Sequence, residues 1–306
     1  MTCDVIIVSY CSSAQLPGCL TSTMSNSTQS DSCRIFVVDN ASTDHSAMRV
    51  RDSFPRVTLI ENTTNIGYGA AINRALELSE ADCVLCMNPD VRLQKGAIDA
   101  LLQCMERHPD AITAAPKLIY PNGSFHPVCR RFPSLWRNFC HVSGLAARMS
   151  ADSTAHHWLP ESDHHSERDV DMVSGACVMF RREYLDRIGG FDENIFLYEE
   201  ESDVFLPTRT LGGRAYFCPA AEAVHEHGAS VAAAKENIRA SFHRLRSKYY
   251  IYRKHFGEGT ARVAYLTDRC ICSAALVRNP SNKEMRVRYK LTSEAYRAAT
   301  STRTSA

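Results

Sequence analysis

Apolar and polar positions alternate in blocks along the first third of the chain. Short apolar runs rich in β-branched residues predict buried strands, and the spacing between these runs is typical of helices. The predicted strands are "DVIIVSY", "RIFVVDN", "VTLIEN" and "DCVLCMNPD", and the predicted helices span 15–25, 44–54, 67–79 and 94–108. This pattern predicts an α/β fold with a mostly parallel central sheet flanked by helices.

The pattern becomes less regular from Lys117 onward. "LIYPNGSFHPVCRRFPS" contains a Pro-Asn-Gly turn that predicts a hairpin or loop, and residues 150–169 are polar enough to predict a mobile loop. A strand-like "VDMVSGACVMF" follows, and then a helix from Arg182 that ends at Gly189 and Gly190. The polar loop contains four histidines that could bind a metal but are more typical of a solvated segment: His156, His157, His164 and His165.

The last part of the chain is helical and basic. We predict an α/β domain over 1–235, divided into halves 1–116 and 117–235, and a helical extension over 236–306. Residues 239–290 carry 13 Lys or Arg against three Asp or Glu, so the excess charge indicates a partner of that segment.

An anionic membrane surface is one partner that suits this charge. The alternative is that these helices only pack against the preceding domain. Aromatic side chains of the same segment could lie at a membrane interface: Phe242, Tyr249, Tyr250, Tyr252 and Phe256.

The composition, with 44% hydrophobic and 23% charged residues, is that of a soluble globular protein. No apolar run approaches the roughly 20 residues of a membrane span, and the start "MTCDVIIVSY" lacks the features of a secretory signal, so we expect a cytoplasmic protein. Most of the 13 cysteines fall in apolar runs, which favours buried, reduced thiols. Cys83 and Cys86 have CxxC spacing, but the absence of a second ligand pair argues against zinc there.

Polar residues follow the predicted strands where each strand ends. The carboxyl ends of parallel strands meet at one edge of a sheet, and ligands bind along that edge. We therefore expect six side chains to lie together there: Asp39, Asn40, Asn62, Asn65, Asn88 and Asp90.

The stretch "FLYEEESDVF", residues 196–205, gathers four carboxylates between bulky apolar residues. A solvated helix start is one interpretation, because acidic side chains in a first turn are stabilised by the helix dipole. The flanking apolar residues favour a partly buried wall instead, and carboxylates held there need a partner or a chemical task.

The stretch "NIGYGAAIN" could be taken for a dinucleotide-binding glycine turn. However, Ile72 occupies the position of the third glycine, and the stretch follows the third predicted strand rather than the first. A nicotinamide-dependent oxidoreductase is therefore not the favoured interpretation.

Together, these motifs resemble family 2 glycosyltransferases of the GT-A fold, particularly the rhamnosyltransferase-like bacterial branch. The resemblance covers roughly residues 3–256, and the order of the motifs is more specific than any one of them. They are "VVDNASTD", "NIGYGAAIN", "MNPDV", "PNGSF…RRFPS", "VSGACVMFRRE", "IGGFDENIFLYEEESD" and "VHEHGAS". The half over 1–116 would then bind the nucleotide sugar, and the half over 117–235 would face the acceptor.

The resemblance implies a set of donor-binding residues. Asp39 would contact the base and ribose of a nucleotide sugar, with Asn40 beside it, and Asn65 and Gly67 would shape the same pocket. Asn88 would replace the first aspartate of the family's DXD-like motif.

Asp90 would be the last acid of that motif and would bind a divalent cation that bridges the two phosphates, with His225 as a further metal ligand. A hard ion such as Mn²⁺ or Mg²⁺ suits carboxylate and phosphate oxygens. A structural role for His225 near a strand end is the alternative.

The resemblance also gives the acid cluster a task, because an inverting transferase needs a carboxylate that takes the proton of the acceptor hydroxyl. Glu201 matches the base, Glu200 would orient the acceptor, and Asp203 would begin the following helix as a cap and contact the acceptor. A shift of one residue would give the role of base to Glu200, and Glu199 has the weakest match.

Two positions depart from the family pattern. Pro207 stands where an arginine is usual and should kink the helix, and Cys11 stands where an asparagine is usual. The implied enzyme is an inverting, metal-dependent transferase that moves a sugar, with dTDP-rhamnose as the expected donor, to a glycan or polyprenyl-linked acceptor in surface polysaccharide synthesis. A non-catalytic glycan- or nucleotide-binding homologue is the alternative, and no nucleic-acid partner is expected.

Overall fold

The computed structural model describes residues 1–26, 33–226 and 238–302, and it confirms the predicted α/β fold. The strands are β1 (Cys3–Ser9), β2 (Ile35–Asp39), β3 (Thr58–Glu61), β4 (Cys83–Met87), β5 (Val91–Leu93), β6 (Ala111–Ile119), β7 (Phe125–His126), β8 (Cys129–Arg130), β9 (Arg168–Val170), β10 (Met172–Val173), β11 (Cys177–Arg181) and β12 (Arg214–His225). The helices are α1 (Leu16–Asn26), α2 (Ser46–Ser53), α3 (Tyr68–Leu76), α4 (Ala97–Arg107), α5 (Leu135–Ser143), α6 (Arg182–Ile188), α7 (Glu200–Phe205), α8 (Ile238–Phe256), α9 (Glu258–Arg278) and α10 (Lys283–Ser301).

The first four strands form the parallel half of the central sheet, in the order β3, β2, β1, β4. Every residue of β1, β2 and β4 is buried, whereas the edge strand β3 is partly exposed. Strands covered by helices on both faces read as continuous apolar runs, which is why their sequences predicted them well.

The second half of the sheet is mixed, and here the prediction of a mostly parallel sheet is only partly confirmed. The order continues from β4 through β11, β6 and β12 to β5, and β11 runs antiparallel to both of its neighbours. The single strand predicted from "VDMVSGACVMF" is divided, since β10 leaves the main sheet to pair with β8. The predicted hairpin after Lys117 is present as β6 and β7.

Ten of the 13 cysteines are buried, and all are free thiols. Cys83 and Cys86 lie on opposite faces of the buried strand β4, and neither belongs to a group of potential metal ligands within the described part of the chain. The prediction of buried structural thiols is therefore confirmed.

The C-terminal helices pack against the α/β domain through a second apolar core. Ile195 of the domain joins buried residues of α8, α9 and α10 in this core. Tyr249, Tyr250 and Tyr252 are at most 2% exposed, so the prediction that these three rings lie at a membrane interface was wrong. The predicted boundary between 235 and 236 and the end of "VHEHGAS" lie outside the described residues.

Cations of α8 hold the segment that carries the acid cluster. The Lys254 ammonium lies 2.7 Å from an Asp192 oxygen and 2.9 Å from an Asp203 oxygen, and His255 Nε2 lies 2.7 Å from Asp203 Oδ1. The Tyr250 hydroxyl donates a hydrogen bond to an Asp192 oxygen at 2.8 Å. Burial alone would raise the pKa of Asp192, but the hydrogen bonds and the Lys254 charge outweigh it and lower that pKa below its ordinary value.

Replacing Lys254 with methionine should destabilise the protein by about 3 kcal/mol, because two buried carboxylates lose their shared ammonium. Urea unfolding measures this loss, and Lys290→Met, at an exposed position of α10, is the matched control. The lowered pKa of Asp192 stabilises the fold above its ordinary value of 3.8, and this contribution is lost as the pH falls further. The difference between wild type and Lys254→Met should therefore narrow below that pH. Equal stability of the two lysine variants at neutral pH would contradict this role of Lys254.

Candidate active site

The carboxyl ends of β1, β2 and β4 lie at one edge of the sheet and carry the first group of predicted site residues. Asp39 ends β2 and accepts a hydrogen bond from the Ser42 amide at 2.9 Å through Oδ2. Its other oxygen, Oδ1, is buried and has no hydrogen-bond partner among the described residues. A buried acceptor without a partner is costly, so this oxygen suits a ligand donor such as the ring N–H of a base or a ribose hydroxyl.

Asn40 is fully engaged with the protein. Its amide donates to the Gly67 carbonyl at 2.9 Å, and its oxygen accepts from Asn62 at 2.8 Å. Asn65 accepts from the Gly67 amide at 3.0 Å. These asparagines therefore fix the loop before α3, and any contribution of Asn40 to donor binding is made through that loop.

Gly67 is required by both its conformation and its surroundings. Its φ of 95° lies in the region that favours glycine, and an added Cβ would stand 2.6 Å from the Phe196 carbonyl oxygen. The same carbonyl accepts a hydrogen bond from the Tyr68 amide at 3.0 Å. The half over 1–116 is thus in direct backbone contact with the start of the acid segment.

Asp90 and His225 are brought together by the pairing of β5 with β12. His225 Nε2 lies 3.3 Å from Asp90 Oδ1, and both side chains are at most 10% exposed. An oxygen and an imidazole nitrogen at this separation are compatible with a shared divalent cation. Asn88 directly follows β4, and its backbone N–H donates to the Ala176 carbonyl at 2.9 Å.

His126 connects this pair to the backbone. Its Nδ1 lies 3.0 Å from the Pro127 carbonyl, which only accepts, so Nδ1 carries a proton. In the neutral ring, His126 Nε2 then accepts from His225 Nδ1, 3.1 Å away. This tautomer directs the lone pair of His225 Nε2 at the Asp90 carboxylate, an arrangement that suits a cation between the two.

The acid segment enters α7 through two consecutive residues in the left-handed region. Tyr198 and Glu199 have φ values of 68° and 70°. Such conformations are costly for residues other than glycine and persist where the surroundings hold them. Here the Arg244 guanidinium lies 4.5 Å from the centre of the Tyr198 ring, and Ser202 donates to the Glu199 carboxylate at 2.5 Å.

Glu200 and Glu201 have different environments although they are neighbours. Glu200 is 7% exposed, and its Oε1 has no hydrogen-bond partner among the described residues. Burial and the nearby Glu201 charge raise the pKa of Glu200 well above its usual value, so its protonated form is favoured relative to an exposed glutamate. Glu201 instead forms an ion pair with Arg130 at 2.6 Å, with its side chain 22% exposed.

Asp203 does not cap α7 as predicted. The helix begins at Glu200, and the Asp203 carboxylate faces away from the helix start to bind Lys254 and His255. The predicted kink at Pro207 is also wrong, because α7 ends at Phe205, two residues before the proline.

Cys11 adopts a φ of 51°, in the left-handed region. Asparagine tolerates that region better than most residues, which explains why it is usual at this position in the family that the sequence resembles. Here the backbone conformation persists without asparagine, and the Cys11 amide donates to the Ser42 hydroxyl at 2.9 Å.

The histidines of the loop over 150–169 are not uniformly solvated. His164 is 2% exposed, and its Nε2 accepts from the amides of Val128 and Cys129 at 3.1 and 2.9 Å. Burial lowers the pKa of His157 to about 3, so this ring is neutral. Within the described residues, none of the four histidines belongs to a group of potential metal ligands.

The sequence did not assign roles to Arg130, His126, Tyr68 or Lys254. Arg130 stood inside a recognised motif, "RRFPS", and its position there was the only available signal. His126 and Lys254 acquire their partners through contacts between residues far apart in the sequence, and Tyr68 lines a pocket with such residues.

The fold and this edge of the sheet define an α/β enzyme of the GT-A class, a glycosyltransferase that uses nucleotide-sugar donors. The model of "Glycosyl transferase family 2" matches residues 4–189. The chain belongs to glycosyl transferase family 2.

Several known proteins are similar to this chain. The N-acetylglucosaminyl-diphospho-decaprenol L-rhamnosyltransferase of Mycobacterium tuberculosis (strain ATCC 25618 / H37Rv) is 33% identical over 222 residues, covering 69% of this chain and 72% of the relative. The mannosyltransferase PcManGT from Pyrobaculum calidifontis, solved with GDP-Man and Mn²⁺, superposes with a TM-score of 0.56 at 20% identity, covering 98% and 86% of the two chains. S. aureus TarS in complex with UDP-GlcNAc gives 0.57 at 15% identity, covering 98% and 82%.

His126→Phe should weaken Mn²⁺ binding by about 10- to 100-fold. Phenylalanine cannot accept the hydrogen bond from His225 Nδ1, so the His225 tautomer that offers Nε2 to a metal is no longer fixed. Titration calorimetry with Mn²⁺ in the presence of a nucleoside diphosphate measures the affinity, and His165→Phe, at an exposed position, is the control. Unchanged affinity in His126→Phe would show that the contact between the two histidines does not prepare a metal site.

Proposed function

We propose that this protein is an inverting, metal-dependent glycosyltransferase that transfers L-rhamnose from dTDP-rhamnose to a lipid-linked glycan acceptor. The similarity to a decaprenol-linked L-rhamnosyltransferase over 69% of the chain supports this donor and this acceptor class. The observation that carries the reaction type is the pair of neighbouring glutamates, of which Glu200 is buried with a raised pKa and Glu201 forms an ion pair with Arg130.

The donor would bind across the carboxyl ends of β1, β2 and β4. Asp39 offers its unpartnered oxygen to the base or ribose, and the loop fixed by Asn40, Asn65 and Gly67 forms the wall. Asp90, with His225, would hold Mn²⁺ or Mg²⁺, which neutralises the charge that develops on the leaving diphosphate. This charge needs such compensation because no glycine-rich phosphate loop is recognised in the sequence.

Glu201 is the better candidate for the base. A base must be ionised before it takes a proton, and the Arg130 guanidinium 2.6 Å away stabilises the ionised form of Glu201. Burial raises the pKa of Glu200 well above its usual value, and no cation pairs with it among the described contacts, although both glutamates line the same small pocket. The roles predicted for Glu200 and Asp203 in acceptor binding therefore have less support than the role of Glu201.

Arg130 also links the base to the acceptor side. Its guanidinium lies 5.0 Å from the centre of the Trp158 ring, which belongs to the loop over 150–169 and is 39% exposed. An exposed aromatic face next to the proposed base suits the apolar face of a sugar ring. We therefore place the acceptor glycan between this loop and Glu201.

A non-catalytic binding protein is the second candidate, motivated by Pro207 and Cys11. The structure weakens both motives, because the helix ends before Pro207 and the backbone at Cys11 is held by Ser42.

Transfer assays with a panel of nucleotide sugars, Mn²⁺ and a polyprenyl diphosphate-linked N-acetylglucosamine acceptor test the proposal. dTDP-rhamnose should give the highest turnover. Glu201→Gln should lower kcat by about 10²- to 10⁴-fold with little change in donor affinity, because it keeps the shape and removes the proton acceptor. Glu200→Gln should lose much less, since glutamine resembles a protonated glutamate.

The outcomes separate the hypotheses. Another preferred sugar would overturn the donor assignment alone, and no turnover with any donor would favour the binding protein. A dead Glu200→Gln beside an active Glu201→Gln would move the base by one residue.

We also propose that the C-terminal helices contact an anionic membrane, where a polyprenyl-linked acceptor would reside. Much of the basic excess is used inside the protein, as by Lys248, which pairs with Asp268, and Lys254. Exposed basic residues remain along α9 and α10, and exposed apolar residues lie among them: Arg262, Arg278, Lys283, Lys290, Val263, Leu266 and Val277. Within the described part of the chain, no helix is long and apolar enough to cross a bilayer.

Changing Arg262, Arg278, Lys283 and Lys290 together to glutamine should weaken binding to phosphatidylglycerol vesicles by about tenfold or more, because each cation near such a surface contributes about 1 kcal/mol before screening. Co-sedimentation measures the binding, which should also fall as salt rises. Arg56→Gln with Lys95→Gln, exposed on the α/β domain, is the control. If vesicle binding stays the same at high salt and in the variant with four substitutions, electrostatic attachment by these helices is excluded.

A further inference from the structure

A second group of potential metal ligands lies away from the donor edge. Cys104 lies in the last turns of α4, His108 follows the end of that helix, and Glu167 lies directly before β9. One ligand atom from each of the three lies within 4.8 Å of the others. In the described residues, no other group of three such side chains comes this close.

This group is distinct from the proposed catalytic site. His108 stacks on Tyr216, near the start of β12, with ring centroids 3.9 Å apart. His225 ends the same strand, so the two sites lie near opposite ends of β12.

The side chains are already held in position. His108 Nε2 lies 2.8 Å from Glu167 Oε1, and the Arg107 guanidinium binds the other oxygen, Oε2, at 2.5 Å. Arg107 Nε also donates to Oε1 at 3.4 Å, so the ion pair orients the carboxylate and His108 and Arg107 share Oε1. Cys104 is fully buried beneath them, whereas the His108 and Glu167 side chains are 30% and 27% exposed, so an ion could enter from that side.

We propose that Cys104, His108 and Glu167 bind one Zn²⁺ ion at a structural site. A thiolate, an imidazole and a carboxylate form a ligand set that suits Zn²⁺ far better than Mg²⁺ or Mn²⁺. On binding, the Cys104 thiol releases its proton to solvent, and the His108 ring proton moves through solvent from Nε2 to Nδ1. The freed Nε2 and Glu167 Oε1 then each bond to the metal. The fourth position could be filled by water or by Cys218, whose thiol lies beside that of Cys104.

The site would attach the stretch between β8 and β9 to the core of the α/β domain. Glu167 ends the stretch between β8 and β9, which includes the loop with Trp158, whereas Cys104 and His108 belong to a helix packed on the central sheet. A Zn²⁺ ion would therefore cross-link that stretch to α4. This role does not depend on the sugar, the acceptor or the catalytic metal.

The test begins with wild-type protein purified under reducing conditions and loaded with Zn²⁺ alone. Mass spectrometry of the metal content should show one equivalent after dialysis. Replacement by Co²⁺ should give the near-ultraviolet absorption of a thiolate bound to cobalt, a signal that an oxygen-ligand site lacks. Absence of both signals in wild-type protein would overturn the proposal without any mutation.

Variants locate the ion. Cys104→Ser and His108→Gln should weaken Zn²⁺ binding on the order of 100-fold, since each removes a direct ligand. Cys270→Ser, at an exposed thiol, and Asp90→Asn, at the other site, should keep the full equivalent. Retention of zinc in Cys104→Ser, or its loss in Asp90→Asn, would place the ion elsewhere and overturn the assignment.

Discussion

A carboxylate removed from water needs a cation, hydrogen-bond donors or a proton, and this constraint shapes the site. Glu201 has Arg130, and Asp203 has Lys254 and His255. Glu200 is buried near another carboxylate without a cation of its own among the described contacts, and its pKa rises accordingly. Two neighbouring acids of one cluster thereby lie in different electrostatic environments.

The pairing also explains why the C-terminal helices cannot be regarded as an appendage. The family match ends at residue 189, before the acid cluster, and the cations that bind Asp192 and Asp203, on either side of its glutamates, come from α8. Tyr250 and Lys254 fix Asp192, and the Ser247 hydroxyl donates to the Leu197 carbonyl at 3.0 Å. The left-handed backbone at Tyr198 and Glu199 is therefore maintained by a helix that follows it by some 50 residues in the sequence. The geometry of the acid segment therefore depends on how the C-terminal helices pack.

The sequence predicted what local pattern and burial determine, and it was less reliable where distant segments meet. Strands β1, β2 and β4 were predicted because all of their residues are buried, and α6 because Gly189 ends it. The antiparallel β11 was not predicted, since the direction of a strand depends on its connections rather than on its own residues. The motif order identified the family, and its expectation of a transferase is confirmed. Arg130, His126 and Lys254 acquire their roles only through tertiary contacts. The predicted helix start at Asp203 was wrong, because α7 begins three residues earlier, at Glu200, after the left-handed Glu199.

The position of β12 in the sheet has a consequence for how this protein is made. It is the last strand of the chain to enter the sheet among the described elements, yet it lies between β6 and β5, which are synthesised more than 90 residues earlier. On a ribosome that adds about 5–20 residues per second, those two strands wait for several seconds with unpaired edges. During this interval Asp90 lacks His225, and the edges of β5 and β6 that will pair with β12 remain open. The nascent protein thus has a period of vulnerability to aggregation that the finished enzyme does not reveal.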